Sequence, residues 1–143
     1  MALKRTPADI AFSKCIREAA NWTCERCGTS YPKNAPGLEC SHHHTRGAWS
    51  IRFHPLNAEA LCTGCHFLTG GTEERRNEVI TEDDQILLYR MKNDTALGKF
   101  MRKTKGKGEI AKYYRNILTC LENERDKGNF DKLQFEAWQE REK

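Results

Sequence analysis

Polar and apolar positions divide the chain into a helical opening, a polar middle and a helical second half. Thr6 is a good N-cap, Pro7 suits the first helical position, and Asp9 stands three residues after the cap. Phe12, Ile16 and Ala19/Ala20 follow at helical spacing, which predicts a packing helix that ends near Asn21. Residues 24–66 lose that period and are rich in Gly, Pro and polar side chains. Short strands are predicted around Leu38–His43 and Ser50–Phe53, with a short helix after Cys62. Gly70-Gly71 then punctuate the chain. Thr81-Glu-Asp-Asp84 reads as a helix start leading into Ile86, Leu87, Leu88 and Met91, with a stop at Asn93 and Asp94. A last long helix is predicted over 109–124, with Ile110, Tyr113/Tyr114, Ile117/Leu118 and Leu121 as its apolar stripe. The tail from Asn129 predicts a further short helix carrying Phe130, Leu133 and Trp138. There is no internal repeat.

Composition narrows the class. The 143 residues are 38% hydrophobic and 31% charged, enough for one modest core that benefits from a staple. No apolar run is long enough to span a membrane, and the start Met1-Ala-Leu-Lys-Arg-Thr-Pro has no apolar segment of a secretory signal. Lys and Arg number 24 against 20 acidic residues, a net charge of +4 that suits a polyanionic partner. The seven cysteines are an odd number, which argues against a fully paired disulfide framework. A reducing cytoplasm is the expected location, where clustered cysteines hold metal more often than they form disulfides.

The polar middle contains five of the seven cysteines and all five histidines. Cys24-Glu-Arg-Cys27 and Cys62-Thr-Gly-Cys65 are two CxxC pairs, each able to aim two thiolates at one point. Together they make a tetrahedral four-cysteine zinc site, coordinatively closed and therefore structural. Cys15 and Cys120 lie in helical patterns and are expected to be buried thiols; Cys40 is expected to serve packing. Between the pairs runs Cys40-Ser-His-His-His44, then Asn57 five residues before Cys62, and His66 directly after Cys65. The second knuckle thus fixes the direction of His66. Histidine titrates near neutral pH and serves as base or metal ligand.

These residues resemble the HNH endonuclease family. The matching run is His42/His43, then Asn57-Ala-Glu-Ala-Leu-Cys62-Thr-Gly-Cys65-His66. With Cys24-x-x-Cys27, Cys40-Ser-His42, Arg46, Arg52-Phe53-x-Pro55 and Leu61, it is similar to the zinc-knuckle phage type, the NinG (Rap) recombination nucleases, which cut branched DNA. The resemblance covers about residues 12–70; Leu87-x-x-Arg90 and Tyr113-Tyr-Arg115 are only loosely similar. It implies an α+β fold: a small ββα-metal core stapled by the four-cysteine zinc site, with flanking N-terminal and C-terminal helices. It further implies metal-assisted phosphodiester hydrolysis, in which a strand histidine is the base, Asn57 orients the backbone around it, and His66 ligates a catalytic Mg2+ or Mn2+. Two alignments stay open. His42 is the base, with Ser41 in the ligand slot and His43 or His44 as a ligand or phosphate contact; or His42 and His43 fill ligand and base in that order. The Cys40-Ser41 anchor favours the first.

Arg46 and Arg52 flank the constellation as candidate phosphate contacts. Trp49 between them is expected to pack. Lys103 and Lys105, in the basic stretch 99–107, are candidates for tracking phosphates farther away, against the plainer reading of a solvated loop. The expected organisation is a nuclease core over 1–70 and a helical extension over 71–143, packed together. The expected partner is DNA, with branched DNA among its forms and no membrane; a two-fold dimer would suit paired cuts, although no motif demands one. The alternatives are a catalytically inactive, zinc-stabilised nucleic-acid-binding module and an interaction scaffold built on the C-terminal helices.

Overall fold

A computed structural model describes residues 4–141, so the first three residues of the start read above lie outside it. Helix α1 spans Pro7–Ala19 and opens on a complete capping box: Thr6 N–H donates to the Asp9 carboxylate at 2.7 Å, and Asp9 N–H donates to Thr6 Oγ1 at 3.3 Å. Its face of Ala8, Ala11, Phe12, Cys15, Ile16 and Ala19 is buried. Asn21 and Trp22 take positive φ and turn the chain out of the helix toward the first cysteine pair.

Strand β1 (Leu38–His42) pairs antiparallel with β2 (Ala58–Cys62), with Leu38 opposite Cys62, Cys40 opposite Ala60 and His42 opposite Ala58. The second strand is therefore not Ser50–Phe53. That segment holds the helical turn α2 (Trp49–Arg52), followed by a 3-10 turn at Pro55–Asn57. Its backbone carbonyls are taken by side chains instead of a neighbouring strand. Ser50 O accepts from Gln139, Ile51 O from Asn57, Arg52 O from His42 and Phe53 O from the Tyr114 hydroxyl. Ile51 and Phe53 are buried, which produces the alternating apolar signal without a strand.

Cys62 ends β2 and caps α3 (Thr63–Thr69), its sulfur accepting from Cys65 N–H. Four more helices follow: α4 (Glu73–Val79), which the periodicity did not predict, α5 (Glu82–Lys92), α6 (Thr95–Arg102) and α7 (Thr104–Asp126). The basic stretch 99–107 is thus helical on both sides of Lys103 and is not a loop. Gly106 permits that junction, because a Cβ there would lie 2.2 Å from Phe100 O. The tail closes with a 3-10 turn at Trp138–Glu140.

Helix α7 packs along α1, and Phe12 meets Phe53, Tyr114 and Phe135 edge-on. Tyr114, completely buried, ties three segments: its hydroxyl donates to Phe53 O and accepts from Trp138 N–H. One hydrophobic core runs from Ala8 through Leu61 to Trp138, so the second half of the chain fills the same core as the first. A smaller cluster joins Ile51 to Ile80 and Leu88. No described helix is long and apolar enough to cross a membrane. The fold is α+β, a small antiparallel hairpin followed by helices beside a four-cysteine cluster, in a ββα-metal-like arrangement.

Candidate functional site

The four knuckle cysteines converge. Their sulfurs all lie within 4.8 Å of one another, with Cys27 and Cys62 at 3.9 Å. A tetrahedron with bonds of about 2.3 Å has edges of about 3.8 Å, so the donor set fits zinc. Hydrogen bonds from Thr29 and from Cys24 pull the Cys27 thiol down to about 6, toward the thiolate that a metal requires. Backbone bonding from Cys65 lowers Cys62 as well, whereas Cys65 itself, despite the bond from Arg26, is pushed up to about 11 by burial and the neighbouring thiols, and gives up its proton only to the metal. Four sulfurs leave no open position, so the centre is structural. The first knuckle also docks on β2 through Glu25 N–H to Ala60 O at 2.8 Å and Ala60 N–H to the Glu25 carboxylate at 2.7 Å. This staple fixes α3, and with it His66. The three other cysteines differ among themselves. Cys15 is buried and donates to Tyr114 O, Cys40 packs at the core edge with its thiol pushed up to about 12 by burial, and Cys120, within α7, is exposed where a buried thiol was expected.

Beside this centre a cleft of about 460 Å³ opens between α1 and β1. His42 and His66 line it together with Arg46, Glu39, Arg5 and Arg17. His42 Nε2 lies 2.9 Å from Arg52 O. A carbonyl only accepts, so Nε2 carries the proton and Nδ1 keeps its lone pair. Burial holds the ring neutral, with its pKa down to about 4 despite the nearby Arg52 carbonyl and Asp9. Asn57 is fully buried and clamps the loop that carries these groups. Its Oδ1 accepts from His44 N–H at 2.8 Å, and its amide donates to Ile51 O at 3.1 Å. His66 Nδ1 stands 2.9 Å from Glu39 Oε1.

His43 is not in this cleft. One residue past β1, it is buried in a separate cavity, with Nε2 at 3.9 Å from Glu59, which is itself paired with Arg75. His43 therefore does not line the cleft that His42 and His66 line, contrary to the expectation that it joins His66 there. Arg52 is corrected too. It has no exposed surface, is paired bidentately with Asp9 at 2.7 and 2.9 Å, and lies 4.0 Å over the Trp49 ring. It is a structural arginine, and Trp49 packs as expected. Lys103 and Lys105 are exposed at the α6–α7 junction and do not line the cleft.

Arg5, Arg17 and Glu39 were missed by motif reasoning. For Arg17 a signal existed: Asp9, Ser13 and Arg17 form an i, i+4, i+8 polar stripe on α1, and all three line the cleft. No family model, curated protein or solved structure compared with the chain gives a match.

Proposed function

We propose that this chain is a metal-dependent DNA endonuclease of the HNH type. The observation that carries the reading is His42: its Nε2 proton is committed to Arg52 O, its loop is clamped by Asn57, and it shares a cleft with His66. In this reading His42 is the general base. Held neutral by burial, it accepts a proton at Nδ1 from the attacking water, and the negative charge of a bound phosphodiester raises its basicity toward the working range. Arg46, Arg5 and Arg17 hold the phosphates along the cleft. His66 is a ligand of a Mg2+ or Mn2+ ion, which when bound supplies Lewis-acid stabilisation of the charge on phosphorus and on the leaving 3′ oxygen.

Through Cys40-Ser41-His42 and the Cys62–His66 run, the reading extends to recombination nucleases of the NinG type. Branched DNA in a phage-infected bacterial cytoplasm is the proposed setting, with a dimer making paired cuts. The four-cysteine cluster favours a second reading on its own, a zinc-stabilised nucleic-acid-binding module without catalysis. Nicking of supercoiled plasmid in Mg2+ or Mn2+, together with a panel of linear, nicked and four-way-junction substrates, separates the two. Metal-dependent cutting that falls about 10²–10⁴-fold in His42→Ala supports the nuclease. DNA binding with no cutting under any metal supports the module.

A further inference from the structure

The slot immediately before His42 holds Ser41, a neutral hydroxyl that is 1% exposed. A hard divalent ion prefers anionic oxygen, and His66 alone is a thin donor set. Among the described residues lining the cleft there are two carboxylates, Asp9 and Glu39. Asp9 is committed, since Arg52 grips both its oxygens and Thr6 N–H donates to it. Glu39 shares the β1 face of Ser41, two residues earlier, and is 47% exposed beside a His66 that is 38% exposed. Its Oε1 lies 2.9 Å from His66 Nδ1. Two donors on adjacent corners of an octahedron with bonds of about 2.1 Å stand about 3.0 Å apart. The hydrogen-bonded pair thus stands at a separation that one edge of a Mg2+ or Mn2+ shell also has, on the wall of a cleft of about 460 Å³.

We propose that Glu39 and His66 together form the divalent-cation site of the cleft, with Glu39 supplying the carboxylate that Ser41 lacks. This rests on the nuclease reading for its purpose but not for its test. In the ion-free protein the Nδ1–H hydrogen bond to Glu39 holds the site together; the ion takes the place of that proton, which moves by way of solvent to Nε2 of the neutral ring.

The test is a Mn2+ titration of the zinc-loaded protein followed by electron paramagnetic resonance, in wild type, Glu39→Gln, Glu39→Asp and His66→Ala. Zinc content and melting temperature are measured alongside. The expected result is one Mn2+ per chain in wild type, a loss of affinity of at least about tenfold in Glu39→Gln and His66→Ala, and a smaller loss in Glu39→Asp, with zinc content unchanged. Anomalous scattering from a Mn2+-soaked crystal is expected to place the ion in bonding contact with both side chains. Unchanged Mn2+ affinity in Glu39→Gln, an ion bonded to His66 but not Glu39, or no Mn2+ bound by wild type overturns the proposal. Plasmid nicking is scored separately. Mn2+ bound through Glu39 without cutting leaves the site standing and removes the nuclease, whereas cutting that survives Glu39→Gln at unchanged Mn2+ affinity does the reverse.

Discussion

Replacing Asn57 by alanine should both destabilise the protein and misplace His42. Asn57 is completely buried and satisfies two backbone groups at good distance, His44 N–H at 2.8 Å and Ile51 O at 3.1 Å; a third contact, to His44 O, is longer at 3.4 Å. Alanine strands His44 N–H, whereas Ile51 O keeps the His54 N–H at 3.1 Å. A buried, unpaired group costs about 1–3 kcal/mol, less if water enters the vacated space, so the expected loss is about 1–3 kcal/mol. Ile51 O is adjacent in sequence to Arg52 O, which fixes the His42 tautomer. Losing the clamp frees that carbonyl to rotate, so the cutting rate should fall while DNA affinity changes little. Asn57→Asp keeps the acceptor for His44 N–H but turns a carboxylate toward two carbonyl oxygens. It should be most destabilised near neutral pH and recover as acid protonates it. Urea unfolding of the zinc-loaded variants measures the first effect, and single-turnover nicking the second. Asn57→Ala within about 0.5 kcal/mol of wild type would refute the clamp.

Cys24→Ser and Cys65→Ser should lose zinc stoichiometry and the folded structure of 24–66, because metal-binding free energy is folding free energy in so polar a segment; retained zinc and an unchanged melting temperature would contradict this. Arg52→Met should cost about 3–5 kcal/mol by leaving the buried Asp9 carboxylate unpaired, and the combined change with Asp9→Asn should recover part of it in thermal unfolding. A stable Arg52→Met variant with weakened DNA binding would instead return Arg52 to a phosphate role. His43 should make the protein acid-sensitive. Burial first, then the charges of Arg75 and Arg76, lower its pKa from 6.5 to about 4. Between those values the unfolded chain binds the extra proton, so this stability is present above pH 6.5 and lost as pH falls toward 4, about 3 kcal/mol in all. Urea unfolding at several pH values should show a shallower acid slope in His43→Gln than in wild type, and equal slopes would exclude His43 as the source.

The local grammar was readable. The Thr6–Asp9 capping box, the α1 stripe and the helix start at Thr81 form as the residues suggest, because each depends on side chains within one turn of the backbone they satisfy. The strand reading at Ser50–Phe53 failed for the opposite reason. The groups that take its carbonyls, Asn57, Tyr114 and Gln139 among them, arrive from up to 89 positions away. The same distance hid the fate of Arg52, whose partner Asp9 sits in α1 and had already been assigned a capping role.

The CxxC spacing is a covalent property of the chain, so the sequence by itself determined the four-cysteine centre and the fixed direction of His66 next to it. It also determined that histidines would gather in the polar middle. Tertiary structure alone decided which of them share a cleft. His42, the last residue of β1, packs toward Phe12 of α1, whereas His43, the next residue, is buried against Glu59 and its partner Arg75. That packing also turned Arg52 inward and left Glu39, silent in any motif, beside His66.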